Sequence, residues 1–245
     1  MIGSPFIILN EVDSSNNYAI GQAMQGLAQH GAAFMAKHQT AGKGQRGKRW
    51  NSEAGKNIAL SVLLDTRELH LNTQFALNMT VALAVYDLYA KYALDDTSIK
   101  WPNDIYWRDR KAVGILVENK IYGQNWQWAV VGVGINVNQT VFDQTLLKKA
   151  VSLKQITGKD FDCVALAKEL CTFLEEKYQL FKEKKYTELL ATFNQHLYRK
   201  DTLAQLKYQD LIYDCRIQEV DNLGQLWVEG APKPCFAFGE VEWII

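Results

Sequence analysis

Nine consecutive residues, Gly42-Lys43-Gly44-Gln45-Arg46-Gly47-Lys48-Arg49-Trp50, put three glycines and four cations beside one flat aromatic ring. Glycine lets backbone N–H groups approach an oxyanion closely. Lysine and arginine add charge-assisted hydrogen bonds to phosphate or carboxylate. The chemistry such a loop suits is the holding of an anion; the plainer alternative is a solvated basic turn. Gly42, Gly47 and Lys48 also satisfy the spacing of a phosphate-binding P-loop, but Arg49 stands where Ser or Thr must hold Mg²⁺, and no helix pattern follows. Gly132-Val133-Gly134 similarly begins a dinucleotide fingerprint that fails at Val137, where the third glycine belongs.

Two further clusters carry chemistry. Lys100-Trp101-Pro102-Asn103-Asp104 contains a proline that cannot donate to a sheet, which places it at a strand edge or bulge, a geometry that can aim Asn103 and Asp104 into a site. Arg110-Lys111 then precedes Gly114-Ile115-Leu116-Val117-Glu118, a strand whose glycine permits close approach of a ligand. Gly132 and Gly134 remove two side chains from one face of another strand, a clearing suited either to helix packing or to a flat, fused-ring ligand.

The elements that must position these residues follow from periodicity. Helices are expected over residues 14–29, 72–93, 161–184 and 186–197, the second and third with clear apolar stripes. Strand patterns cover residues 33–36, 58–64, 99–107, 112–118 and 126–136, so the 42–50 loop joins two strands. After Arg199 the pattern changes to short β runs divided by turn signals, the mark of a small barrel. Two domains are expected, residues 1–198 and 199–245.

Composition excludes several classes. The 245 residues suffice for one substantial core plus a small module, and Lys+Arg and Asp+Glu balance at 27 each, so no overall field recruits nucleic acid. Four cysteines without a C-x-x-C pair and four scattered histidines argue against a zinc site, a disulfide scaffold or a nucleophile–base pair. No signal peptide or membrane span is read, and a cytoplasmic location is expected.

Taken in order, Asp13-Ser14-Ser15-Asn16, Gln39 with the 42–50 loop, residues 100–104, residues 110–118 and Gly132 to Asn136 resemble the biotin–protein ligase family, over roughly the first 140 residues; Gly239-Glu240-Val241 near the end fits as well. The resemblance implies an α+β fold: a class II synthetase-like catalytic domain with a mixed sheet and flanking helices, followed by an SH3-like β-barrel. It implies that biotin and ATP form biotinyl-5′-AMP and pyrophosphate, after which a lysine of a biotin carboxyl carrier protein attacks the mixed anhydride. Mg²⁺ is expected with the triphosphate, with Asp104 as an aid.

By the same resemblance, Lys111 contacts both the biotin carboxylate and the phosphate, and Arg46, Lys43 and Lys48 close over the adenylate. Ser14, Ser15, Asn16 and Gln39 line the biotin pocket, with Gly42, Lys43, Gly44 and Gln45 beside it. Gly114, Leu116 and Gly134 shape its apolar side, while Trp50, Asn103 and Asn136 lie on the nucleotide side. Joining two anions requires a cation between them, which gives Lys111 and Arg46 their catalytic roles. No protein nucleophile is needed, because the attacking amine comes from the carrier.

The family loop runs closer to G-R-G-R-x-G-R-x-W. Here Gln45 replaces the second arginine, and Lys43 and Lys48 replace two others, giving charge without the bidentate fork. The expectation is that Arg46 substitutes in part or that the adenylate is held less tightly. With Asp13 already in the catalytic core, the resemblance is to the short form, for which neither DNA nor membrane binding is expected; a homodimer through the sheet edge stays open. The rivals are a lipoate or octanoyl ligase or transferase of the same fold and, from another class, a non-catalytic RNA- or peptide-binding protein.

Overall fold

The computed structural model describes every residue except Thr145 and Lys148. Seven strands form a mixed sheet: β1 (Phe6–Val12), β2 (Ala33–Gln39), β3 (Ile58–Asp65), β4 (Thr97–Lys100), β5 (Asp104–Trp107), β6 (Arg110–Tyr122) and β7 (Asn125–Ile135), in the order β1-β2-β3-β7-β6-β5-β4. Only β1 and β2 pair in parallel; the other pairs are antiparallel.

Alternation along the strands sorts the two faces. Ile58, Leu60, Val62 and Leu64 of β3, Val113 and Ile115 of β6, and Val131, Val133 and Ile135 of β7 enter the main core. Over that face lie α2 (Gln74–Ala93) and α4 (Cys163–Lys182), with α5 (Tyr186–Gln195) against both. The other face carries α1 (Ser15–Met24), which seals a smaller core of Ala19, Ala23, Phe34, Leu63 and Val130. Because α1 spans only one end of that face, the rest is open to ligands.

The mixed sheet with flanking helices is the expected architecture, and several local expectations change. The first helix ends at Met24 rather than near residue 29, where Gly26 turns the chain at φ +70°. The 99–107 run is a hairpin, β4 and β5, because Pro102 and its neighbours form the turn. The N-terminal apolar run, not assigned as a strand from sequence, is the edge strand β1. A short helix α3 (Leu153–Thr157) was also unassigned, although Ser152 and Gln155 form a reciprocal capping box whose S-x-x-Q spacing announces it.

The chain then enters a second, antiparallel sheet of β8 (Leu203–Tyr208), β9 (Leu211–Val220), β10 (Leu226–Glu229), β11 (Cys235–Phe236) and β12 (Glu242–Ile244), ordered β11-β10-β9-β8-β12. This sheet fits the SH3-like module. It is fastened to the larger part by buried polar contacts. Asn194 Nδ2 donates to the Val220 carbonyl at 2.8 Å while Val220 N donates back to Asn194 Oδ1 at 2.7 Å. The Trp101 indole donates to the Gly224 carbonyl at 3.0 Å. Buried bonds of this kind resist breaking because each unmade partner costs about 1–3 kcal/mol.

Candidate functional site

The open face of the mixed sheet carries a transverse row of aligned residues. Lys100 pairs with Asp104, Asp104 with Gly114, Gly114 with Gly134, and Gly134 with Ala59, across β4, β5, β6, β7 and β3. A neighbouring row runs Leu116, Gly132, Ser61 and Phe34. The first row is charged at one end and bare in the middle; the second is apolar or small. Above both lies a cavity of about 400 Å³.

Lys111 reaches this face through a bulge. Counting back from Gly114 by twos reaches Ala112, so simple alternation would point Lys111 into the core. Between Ile105 and Tyr106 the register shifts, Tyr106 pairs with Lys111, and Ala112 becomes the extra, buried residue. A bulge re-aims a side chain in this way. Lys111 Nζ then stands 2.7 Å from Asp104 Oδ1, with the two side chains 34 % and 18 % exposed. The contact is an ion pair by distance, but its direction is poor for a hydrogen bond, and Asp104 Oδ1 keeps no well-directed donor among the described residues.

At the other end, α1 presents its N-terminus to the cavity with Ser14, Ser15 and Asn16 buried. Gln39 Oε1 accepts from Ser15 N at 2.8 Å and satisfies a first-turn donor of the helix. Ser61 Oγ lies 2.7 Å from Ser15 Oγ and 2.6 Å from Asn16 Oδ1. Asn16 Nδ2 donates to Glu118 Oε2 at 2.8 Å. The result is a buried polar head group in an otherwise apolar end of the cavity. A Cβ on Gly132 would fall 2.5 Å from Asn16 Oδ1, so this glycine makes room for the network.

The basic loop is folded back as a small hairpin. Trp50 N donates to Gly42 O at 2.9 Å and Gly44 N to Lys48 O at 2.7 Å, with a 3₁₀ turn at Gln45–Gly47 and Arg46 at φ +55°. Lys43 is drawn to Glu118 at 3.3 Å, and Arg46 lies against Gly239, in the turn between β11 and β12. The clearing made by the glycines is filled by the chain itself: a Cβ on Gly134 would fall 2.4 Å from Trp50 Cε2, and one on Gly114 3.0 Å from Trp50 Cζ3. The indole Nε1 is buried there without a partner among the described residues.

Of the residues singled out from sequence, Ser14, Ser15, Asn16, Gln39, Lys43, Gly44, Gln45, Arg46, Lys48, Trp50, Asn103, Asp104, Lys111, Gly114, Leu116, Gly134 and Asn136 all line the cavity. Gly42 instead borders a shallow depression outside the loop, beside Glu118. Asn103 spends its side-chain donor on the Ile115 carbonyl, and Asn136 N donates to Ala112 O at 3.0 Å, so both also brace the bulged strand. Sequence reading missed Phe142, Leu146, Lys100 and Lys149 as lining residues, and Ser61, which is buried behind the lining and bonded to Ser15 and Asn16. Alternation from Gly114 through the β4–β5 hairpin would have found Lys100; nothing local marks Ser61.

Around the cavity, among the described residues, Lys43, Arg46, Lys48, Arg49, Lys100, Lys111 and Lys149 face a single lining carboxylate, Asp104. Such a cavity suits an anion joined to an apolar body with a hydrogen-bonding head. Among the described residues no cluster of three His, Cys, Asp or Glu side chains could hold a metal by itself. No helix among them is long and apolar enough to cross a membrane.

Residues 9–136 match the model of the biotin/lipoate A/B protein ligase family. The bifunctional ligase/repressor BirA of Salmonella typhimurium is 30% identical over 235 residues, covering 93% of this chain and 71% of that protein. A biotin protein ligase from Aquifex aeolicus, solved with biotin and ATP, superposes with a TM-score of 0.78 at 24% identity, over 97% of this chain and 98% of the other. One from Leishmania major, solved with biotinyl-5-AMP, gives 0.65 at 22% identity over 98% and 99% of the two chains. At these identities the two solved structures speak for the fold.

Proposed function

Since the chain belongs to the biotin/lipoate A/B protein ligase family, we propose the following course for its reaction. The protein is an ATP-dependent biotin–protein ligase: it joins biotin to AMP with release of pyrophosphate, then passes biotin to a lysine of a biotin carboxyl carrier protein. The observation that carries this reading is the continuity of one cavity from the buried Ser15–Asn16–Gln39–Ser61 cluster to the cations at Lys111 and the loop.

That polar cluster separates biotin from lipoate. A ureido ring offers two N–H donors and a carbonyl, which the cluster can pair; a dithiolane offers neither and would leave buried polar groups unmade. The biotin ring thus sits by α1 and β3, and its chain runs across Leu116 toward Lys111. There the carboxylate oxygen attacks the α-phosphorus. Lys111 lies between the two anions and offsets the charge that accumulates on the phosphoryl oxygens.

Arg46 and Lys48 lie over the phosphate from the loop, and closure of the loop keeps water from the anhydride. Trp50, Asn103 and Asn136 serve the nucleotide side. Asp104, whose Oδ1 lacks a well-directed donor among the described residues, would be the side chain to hold a Mg²⁺ entering with ATP, which would supply charge to offset that of the triphosphate. In the second step the carrier amine attacks the acyl carbon, the C–O bond to the phosphate breaks, and AMP leaves with the electron pair. Residues 1–198 form the catalytic domain and 199–245 its C-terminal cover, and a cytoplasmic location accords with ATP and a carrier protein as substrates.

The test is pyrophosphate release with ATP and either biotin or lipoate, with and without a carrier domain, in the wild type and in Lys111→Ala. Biotin-dependent release and carrier labelling, lowered about 10²–10³-fold in the variant, are expected. Activity with lipoate and not biotin would move the chain to the other branch of its family.

A further inference from the structure

One cation of the cavity is held in an unusual way. Lys100 ends β4, and its ammonium sits 4.9 Å from the Tyr106 ring centroid and 5.5 Å from that of Trp243. Tyr106 belongs to β5 of the mixed sheet, but Trp243 belongs to β12 of the C-terminal sheet. Aromatic faces favour a cation without neutralising it. The nearest acid along the row, Asp104, is engaged by Lys111, and Lys100 makes no ion pair among the described residues. The charges that face it are Asp104, Lys111, Lys48 and Glu242. Burial pushes its ammonium down to about 8, which marks a cation kept partly dry and short of a counter-ion. Trp243 Nε1 is likewise buried without a partner among the described residues.

The row Lys100–Asp104–Gly114–Gly134 sets an order along the cavity. Lys111 stands beside Asp104, and Lys100 lies on the side of Asp104 away from the glycines and the biotin end. If α-phosphorus is attacked next to Lys111, the bond that breaks is the one to the bridging oxygen, and its electron pair leaves with the β- and γ-phosphates.

Resting on the biotin-ligase reading, we propose that Lys100 is the binding cation for the departing pyrophosphate, and that Trp243 is a positioning residue which makes the C-terminal sheet part of the nucleotide site. Lys111 serves the α-phosphate and Lys100 the leaving group. The two lysines thereby divide a triphosphate that one ammonium could not span.

The experiment measures the KM for ATP and compares two probes in competition with it, pyrophosphate and AMP, in wild type, Lys100→Met, Lys100→Arg, Trp243→Leu and Trp243→Phe. Methionine retains the stem and an end that packs well on aromatic rings, so the fold is kept; melting curves check this. In Lys100→Met the KM for ATP and the inhibition constant of pyrophosphate both rise about tenfold or more, the loss expected of a charge-assisted contact. AMP, which has no β- or γ-phosphate, stays within about twofold by the same reasoning. Lys100→Arg and Trp243→Phe retain pyrophosphate affinity, whereas Trp243→Leu shows the same selective loss at smaller size.

Equal weakening of AMP and pyrophosphate would overturn the proposal, as would unchanged pyrophosphate affinity in a folded Lys100→Met. A variant defective only in transfer from supplied biotinyl-5′-AMP would overturn it too, by moving Lys100 to the carrier step. A wild type that makes no biotinyl-5′-AMP would instead refute the reading on which the proposal rests. If Lys100→Met does not fold, the selective loss in Trp243→Leu decides.

Discussion

Gly134→Ala tests whether the bare centre of the site is required for the indole that fills it. The added Cβ would lie 2.4, 2.7 and 2.8 Å from Cε2, Cζ2 and Nε1 of Trp50. Ordinary carbon contacts begin near about 3.5 Å, so the ring must lift by roughly 1 Å. Gly134 itself is no obstacle: its φ is not positive, it lies mid-strand in β7, and alanine reduces the entropy of the unfolded chain by about 0.4–1 kcal/mol. Overpacking costs about 1–3 kcal/mol where neighbours cannot move. Trp50 sits on a loop, so the strain is discharged by moving the loop, and thermal stability changes by no more than about 1 kcal/mol. The loop's cations move with it, and affinity for the adenylate falls by about 10–100-fold. Calorimetry with a non-hydrolysable biotinyl-adenylate analogue, alongside melting curves, measures both. A double-mutant cycle with Trp50→Ala should show coupling of about 0.5–3 kcal/mol. Strict additivity, or unchanged affinity in the single variant, would refute the steric argument.

Other outcomes follow from the same geometry. Ser61→Ala removes the hydroxyl between Ser15 and Asn16 and should weaken biotin about tenfold with little effect on AMP, measured by separate titrations. Gln45→Arg should slow release of biotinyl-5′-AMP and Arg46→Ala should speed it, measured by trapping the released adenylate; no change in either would dismiss the idea that the loop's altered cations set retention. Because the Lys100 pKa is lowered from 10.5 to about 8, the site loses this charge as pH rises through about 8. Pyrophosphate affinity, taken relative to Lys100→Arg, should therefore decline above that pH. The stability sign is opposite: between about 8 and 10.5 the unfolded chain holds the extra proton, so this group's contribution to stability rises with pH. Gly21→Ala, within α1 and with nothing within 4 Å of the new Cβ, should stabilise the fold by roughly 0.5–1 kcal/mol in a denaturant titration.

Much of the fold and of the site was legible because it depends on near neighbours. The stripes of α2 and α4, the alternation of β3, β6 and β7, the cations and glycines of the loop and the bare positions at Gly132 and Gly134 are all local patterns; they marked most of the elements and the chemistry-bearing clusters, while the α+β architecture and the pocket roles of most lining residues came from the family resemblance those clusters carry. The edge strand β1 was not legible, since seven residues of mixed burial have no clean period. What only the tertiary structure decided depends on register. A single residue inserted opposite Ile105 and Tyr106 turns Lys111 from core to cavity. Pairing across five strands sets Lys100 in line with Asp104 and Gly134. Packing of the second sheet brings Trp243 to a lysine 143 positions earlier in the chain (243 − 100). Sequence states which face a strand residue takes relative to its neighbours, because side chains alternate; which residue of another strand lies beside it is set by hydrogen-bond register and by the packing of the whole.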